Sequence, residues 1–260
     1  MEMKLPLFIL CICAAQIISG HLIPESIFYP PQSPPSGYIV GGSNAADGLA
    51  PFQCSMQYGG QHFCGCAILS SKFIITAGHC AEALDASKIT VFVGSNKLSG
   101  NGAHYGIKKS KIHEKYDNPA FAYDIAVLVV KGEIDFNEKV QPIGLSAYEI
   151  PEGSVAQLTG WRRLSNSGSV PDQLQVIELN VVQTAECKNM LGQAVHDSHI
   201  CTYNGEGEGA CYGDSGGPLV YNNKLIGVVN FGKPCAKGAP DAYAKISYLY
   251  DWINENTKSN

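Results

Sequence analysis

The stretch Gly209-Ala210-Cys211-Tyr212-Gly213-Asp214-Ser215-Gly216-Gly217-Pro218 organises the reading of this chain. Ser215 lies between Asp214 and two glycines, on backbone that can bend sharply and come close to another molecule. A serine hydroxyl is a poor nucleophile until a base sits within hydrogen-bond reach and a third group orients that base. Both partners lie upstream: His79 in Thr-Ala-Gly-His-Cys and Asp124 in Tyr-Asp-Ile-Ala-Val-Leu. A Gly-Asp-Ser-Gly-Gly string standing alone also suits an ordinary glycine turn. The order His, Asp, Ser along one chain gives it a chemical role.

Working outward, the 260 residues and 45% hydrophobic content suffice for a packed core in one large or two small domains. A net charge of -5, with Arg162 and Arg163 the two arginines, points away from nucleic acid. Residues 1–20 read as a signal peptide: Lys4, an apolar run from Leu5 to Ile18, then small Ser19 and Gly20. That run is shorter than the roughly 20 apolar residues a membrane span needs, so secretion is expected rather than an anchor. Residues 21–38 carry Pro24, Pro30, Pro31, Pro34 and Pro35 and predict an extended, poorly packed segment. From Phe52 onward, short β-branched or aromatic runs are broken by glycine, asparagine and proline, the pattern of an all-β barrel or sandwich. The runs are 68–69, 73–76, 89–93, 125–130, 155–159, 175–182 and 225–230. Two helices interrupt them. Thr184 is placed to N-cap a short one reaching Met190, and Leu249, Trp252 and Ile253 show helical spacing near the C-terminus.

From Ile39 to about Asn256 these features resemble the chymotrypsin-family serine proteases, in particular the chymotrypsin-like enzymes of insects. The resemblance implies an all-β fold of two six-stranded antiparallel barrels with a short C-terminal helix, a boundary near 147–153 and an active site in the cleft. It implies a signal peptide over 1–20, an activation propeptide over 21–38 and a protease domain over 39–260. Ser215 would be the nucleophile, His79 the general base and then acid, and Asp124 the group that fixes the imidazole tautomer. The amides of Gly213 and Ser215 would form the oxyanion hole. Asp214 would pair with the α-amine of Ile39, released by a cut after Tyr38 at the Ile39-Val40-Gly41-Gly42 junction; a plain linker into the domain is the alternative for that junction. Ser55 and His62 match residues that hold this aspartate in some family precursors, or are ordinary strand residues. In the specificity pocket, Gly209 would form the base, Gly232 the entrance and Asp241 a wall. That set resembles insect chymotrypsins and the broad collagenolytic enzymes of crustaceans, and implies cleavage after Phe, Tyr and Leu with some basic side chains admitted. The alternative is an Asp241 turned away and hydrogen-bonded. Three positions depart from the family pattern: Gly78 replaces alanine, Arg162 replaces glycine, and Asn230 replaces the serine that supports the triad aspartate.

Cys11 and Cys13 leave with the signal peptide, so eight of ten cysteines remain, an even number that reads as a disulfide framework in a secreted chain. The resemblance implies the pairs Cys64–Cys80, Cys187–Cys201 and Cys211–Cys235. Cys54 and Cys66 are extra and flank a hairpin centred on Gly59-Gly60. An odd loop would set them opposite each other and an even loop one position apart. A fourth disulfide is expected, with a zinc site from His62, Cys64 and Cys66 as the competing idea. No acidic residue lies between Gly94 and Ile112, where relatives carry a calcium loop, so no metal and no cofactor is expected; no Asn-x-Ser/Thr sequon is present either. The whole reads as a secreted zymogen of a serine endopeptidase acting on dietary protein in the gut lumen. It would be a monomer whose partners are protein substrates and protein protease inhibitors, with neither nucleic acid nor membrane. The alternatives are a protease homologue that only binds, as an adaptor, and a limited-proteolysis enzyme of blood or venom.

Overall fold

A computed structural model of the chain describes residues 42–117, 121–162, 169–192, 195–233 and 235–258. The signal-peptide, propeptide and activation-junction readings, Tyr38 and Ile39 included, lie outside them. In chain order the strands are β1 (Ser43–Asn44), β2 (Gln53–Tyr58), β3 (Gln61–Ile68), β4 (Phe73–Thr76), β5 (Ile89–Val93), β6 (Ala103–Ile112) and β7 (Ala126–Val130). There follow β8 (Gly144–Leu145), β9 (Val155–Gly160), β10 (Gln175–Val182), β11 (His199–Thr202), β12 (Pro218–Tyr221), β13 (Lys224–Gly232) and β14 (Asp241–Lys245). The helices are α1 (Gly78–Glu82), α2 (Thr184–Leu191) and α3 (Ile246–Asn256).

Six strands close the first barrel in the order β2-β3-β4-β7-β6-β5. The second runs β9-β10-β11-β14-β13-β12 and returns to β9, every step antiparallel. Outside that ring, β1 pairs with β10 and β8 lies parallel to β13. Closure satisfies the backbone groups that an open sheet edge would leave unpaired. The side chains follow the period of two: along β10, Ile177, Leu179 and Val181 are buried while Glu178 and Asn180 face water. The predicted boundary at 147–153 falls on the connection between β8 and β9.

The hairpin β2–β3 turns at Gly59-Gly60, both at positive φ, as a two-residue connection requires. That even loop alone would offset Cys54 from Cys66. A bulge at Phe63, between the pairs Gln57↔His62 and Met56↔Cys64, restores the register and sets Cys54 opposite Cys66. All four expected disulfides are present, Cys54–Cys66 among them, so the sulfurs of the competing zinc set are bonded elsewhere. One detail differs from expectation. Thr184 is the first residue of α2 and not its cap; Gln183 takes that position in extended conformation, and its side chain is drawn to Glu152. Helix α3 turns Leu249 and Ile253 into an apolar cluster that joins the first barrel to Val220, Leu225, Val228 and Ala244 of the second, and Trp252 donates to Glu114 at 2.7 Å beside the His113 ring.

Candidate active site

Both barrels hold the Ser215 segment. From the first, the Gly65 amide of β3 donates to the Ser215 carbonyl at 2.8 Å; from the second, the Val229 carbonyl of β13 accepts from the Gly216 amide at 2.8 Å. Gly65 is needed for this approach, because a Cβ there would stand 2.7 Å from Gly217 Cα. The wall of the first barrel supplies His79 through α1, whose start is tied to β3 by the Cys64–Cys80 bridge. Asp124 lies just before β7, fully buried, after two left-handed residues, Phe121 and Tyr123.

The two side chains meet. Asp124 Oδ2 lies 2.7 Å from His79 Nδ1, and Oδ1 accepts from the His79 amide, also at 2.7 Å. A carboxylate accepts only, so Nδ1 carries the ring proton and Nε2 keeps its lone pair. His79 and Ser215 line one cavity of about 260 Å³, together with Phe121, Tyr212, Asn230, Phe231, Gly232 and Asp241. No described backbone carbonyl accepts from the amides of Gly213 or Ser215. Gly213 holds φ +101°, and a Cβ there would press on Arg162 Cα at 3.1 Å, so only glycine fits.

Asp241 enters the pocket wall. Its carboxylate accepts from the Ala210 amide at 2.5 Å and is 95% covered, and burial pushes it up to about 7, the Ala210 amide and Arg162 opposing. Both readings of this residue therefore have a part in the structure: it is hydrogen-bonded inward and also lines the cavity. Gly209 stands behind it rather than in the lining, with room for no side chain because a Cβ would sit 2.5 Å from Asp241 Oδ2.

The zymogen-type contact takes a different form from the one expected. His62 bonds Ser55 Oγ at 2.8 Å through Nδ1, yet its Nε2 meets the Gly213 carbonyl at 3.0 Å and not Asp214. Because a carbonyl only accepts, Nε2 is the protonated nitrogen and Ser55 donates to Nδ1. Burial lowers the His62 pKa to about 4, so the ring is neutral. Asp214 is fully buried, and burial raises it to about 6 against Arg162 and the amides of Cys211 and Arg162. Its counter-ion is Arg162, whose Nε lies 3.5 Å from Oδ2 with both side chains inaccessible to water. Asn230 Nδ2 donates to the Phe121 carbonyl at 3.0 Å, a role on the Asp124 loop and not on Asp124 itself.

Sequence reasoning did not find the Arg162 pair, nor the aromatic wall. Phe121 stands edge-on to His79 at 6.0 Å and stacks on Phe231 at 5.7 Å, and His199 Nε2 reaches the Phe121 carbonyl at 2.8 Å. Sequence position alone carries no signal for contacts made across such separations.

Comparison with known proteins agrees with this architecture. Residues 39–253 match the family described as Trypsin. Hypodermin-B of Hypoderma lineatum is 37% identical over 97% of this chain and 98% of its own length. Trypsin delta of Drosophila melanogaster is 35% identical over 96% and 98%, and Chymotrypsin-2 of Vespa crabro 38% over 84% and 99%. Among the described residues, no helix is long and apolar enough to cross a membrane.

Proposed function

The chain belongs to the trypsin family and is a serine endopeptidase, and from that premise we propose that it is secreted as a zymogen and cleaves after large apolar and aromatic residues through Ser215, His79 and Asp124. The observation that carries this reading is the His79–Asp124 pair at 2.7 Å on the same cavity as Ser215. His79 Nε2 takes the Ser215 proton as the hydroxyl attacks the substrate carbonyl, and the imidazolium so formed faces the buried Asp124 charge. The proton then goes to the leaving amine, which departs, and water repeats the sequence on the acyl-serine. The Gly213 and Ser215 amides donate to the oxyanion, each such donor contributing about 3 kcal/mol.

The pocket supports the specificity. Phe231, Val229 and Phe121 give an apolar lining suited to Phe, Tyr and Leu, and the Asp241 carboxylate admits Lys and Arg when ionised. The relatives' printed names include both a trypsin and a chymotrypsin, so the specificity argument rests on the pocket. Digestion in a gut lumen, protein inhibitors as partners and a monomeric state complete the proposal. Activation by a cut after Tyr38 would bring the Ile39 amine to Asp214, whose Oδ1 has no hydrogen-bond partner among the described residues.

A fluorophosphonate probe, followed by peptide mapping and a panel of P1 substrates, tests the proposal. Label on Ser215 with turnover after Phe, Tyr and Leu is the expected result. An unlabelled, inactive protein after cleavage before Ile39 would identify a binding homologue, and strict Lys/Arg cleavage would overturn the pocket reading.

A further inference from the structure

The mechanism above leaves Arg162 unused, although it is fully buried beside the reacting loop. Its Nε lies 3.5 Å from Asp214 Oδ2 and its Nη1 donates to the Gly209 carbonyl. The guanidinium therefore touches both ends of the segment from Gly209 to Asp214, which carries the back of the pocket, the Cys211–Cys235 bridge and the Gly213 amide. Asp214 Oδ2 also accepts from Cys211 at 3.1 Å, whereas Oδ1 faces Gly160 with no partner among the described residues. One edge of the carboxylate thus meets a cation supplied by the chain itself, and the other edge is buried without a hydrogen-bond partner among the described residues.

A buried carboxylate must be paired to stay ionised, and a guanidinium stays charged at every pH a protein survives. We propose that Arg162 is a positioning residue for the oxyanion loop: it serves as an in-chain counter-ion for Asp214, so the chain not yet cut before Ile39 already hydrolyses small substrates, and the Ile39 amine later adds a second cation at Oδ1. This rests on the protease reading given above. The uncommitted amides of Gly213 and Ser215 and the open cavity are what such a working loop requires.

The proposal has a pH signature. An α-amine has an ordinary pKa near 8, raised by pairing with a carboxylate, so its contribution is present below that value and fades as pH rises through it. Burial lowers the Arg162 pKa, with Asp214, Asp241 and Tyr243 opposing, and an arginine starts roughly four units above an α-amine. The other groups facing the pair are Asp241 and Tyr243 from β14 and His62 from β3. Asp241 is ionised above about 7, the Tyr243 hydroxyl is pushed well above its ordinary value by burial, and His62 is neutral above about 4. Asp241 completes its ionisation by about pH 8, so the comparison is read above that, where none of them changes charge and the paired amine does.

The test compares uncut chain, kept so by Tyr38→Ala, with chain cut to an Ile39 N-terminus, each with Arg162, Arg162→Lys or Arg162→Gln. The readout is kcat and KM on a small chromogenic phenylalanine ester between pH 7 and 10.5. We expect turnover by the uncut Arg162 chain. Arg162→Gln should lower the ratio of uncut to cut kcat more than tenfold with KM nearly unchanged, and Arg162→Lys should restore part of it. Cut Arg162→Gln should lose activity as the amine deprotonates, while cut Arg162 chain keeps it. A silent uncut Arg162 chain beside an active cut one overturns this inference and leaves the protease reading intact. A cut chain that is silent and unlabelled by fluorophosphonate overturns the protease reading itself. Should uncut Arg162→Gln fail to fold, the cut Arg162 chain decides alone: alkaline loss of its activity overturns the inference, and retention supports it.

Discussion

At the scale of single residues, the buried Asp241 carboxylate on the cavity wall predicts a specificity that depends on pH. Its carboxyl titrates near 7 because burial raises it, so it is neutral in mildly acidic solution and anionic above. A basic P1 side chain gains its partner only in the anionic form. The ratio of kcat/KM for a lysine substrate to that for a phenylalanine substrate should therefore rise roughly tenfold between pH 6 and 8, as the ionised fraction of such an acid does. Taking the ratio to the phenylalanine substrate cancels pH effects common to both substrates, and Asp241→Asn should flatten the ratio. The same shift has a stability side. The folded chain binds this proton more tightly than the unfolded chain, so stability falls as pH rises from about 4 to 7, and Asp241→Asn should raise the Tm at pH 8. Asp124→Asn should keep the fold and lower kcat on the order of 10⁴-fold, because a neutral amide no longer fixes the Nδ1–H tautomer or faces an imidazolium. The short strings around His79, Asp124 and Ser215 were legible in the sequence because local residue types carry their chemistry. The partner of Asp214 was not, since Arg162 reaches it only through the turn after β9 and stands in the sequence simply as a departure from glycine.

At the scale of elements, legibility followed the apolar runs. The strands Phe73–Thr76, Ile89–Val93 and Gln175–Val182 match the sequence reading because their buried residues form uninterrupted or alternating patterns. Strand β6 escaped it: Lys108, Lys109 and Lys111 leave few apolar residues, and β5 and β7 supply the ordering that composition does not. The two-residue strands β1 and β8 have no signal of their own and exist by pairing with β10 and β13. The hairpin β2–β3 shows what a single inserted residue does. Loop parity alone would have left Cys54 and Cys66 out of step, and the Phe63 bulge brings them together. Closing a loop of this length by a disulfide stabilises by about 3 kcal/mol, so Cys54→Ala with Cys66→Ala should lower the Tm by roughly 6–12 °C in a domain of this size. Activity on a small substrate at 25 °C should stay within about twofold, because the bridge lies in the barrel and not in the cavity. Differential scanning calorimetry beside an initial-rate assay checks both halves.

At the scale of the whole molecule, the segment read as a propeptide predicts which protease can release the Ile39 terminus. No lysine or arginine lies between His21 and Ile39, so trypsin has no site there, whereas Tyr38 suits the pocket described above. Appearance of the Ile39 terminus, followed by N-terminal sequencing, should show a lag that shortens when cut enzyme is added. Tyr38→Ala should abolish that acceleration, and Tyr38→Arg should hand the step to trypsin. Wild-type precursor that gained an Ile39 terminus on incubation with trypsin would contradict this. The two ends of the described chain have a further effect. Strand β1 belongs in sequence beside the first barrel but pairs with β10 of the second, and helix α3 follows the second barrel, packs on its β13 and β14, and reaches back to the first through Trp252 on Glu114 and Tyr248 on Tyr123. Each half is thus strapped by the terminus that the other half leads to. A chain nicked on the exposed connection around Tyr148 should consequently travel as one particle in size-exclusion chromatography and still turn over substrate, coming apart into two bands only under denaturant. Such crossed fastening would keep the two halves, and the site between His79 and Ser215, together after a cut.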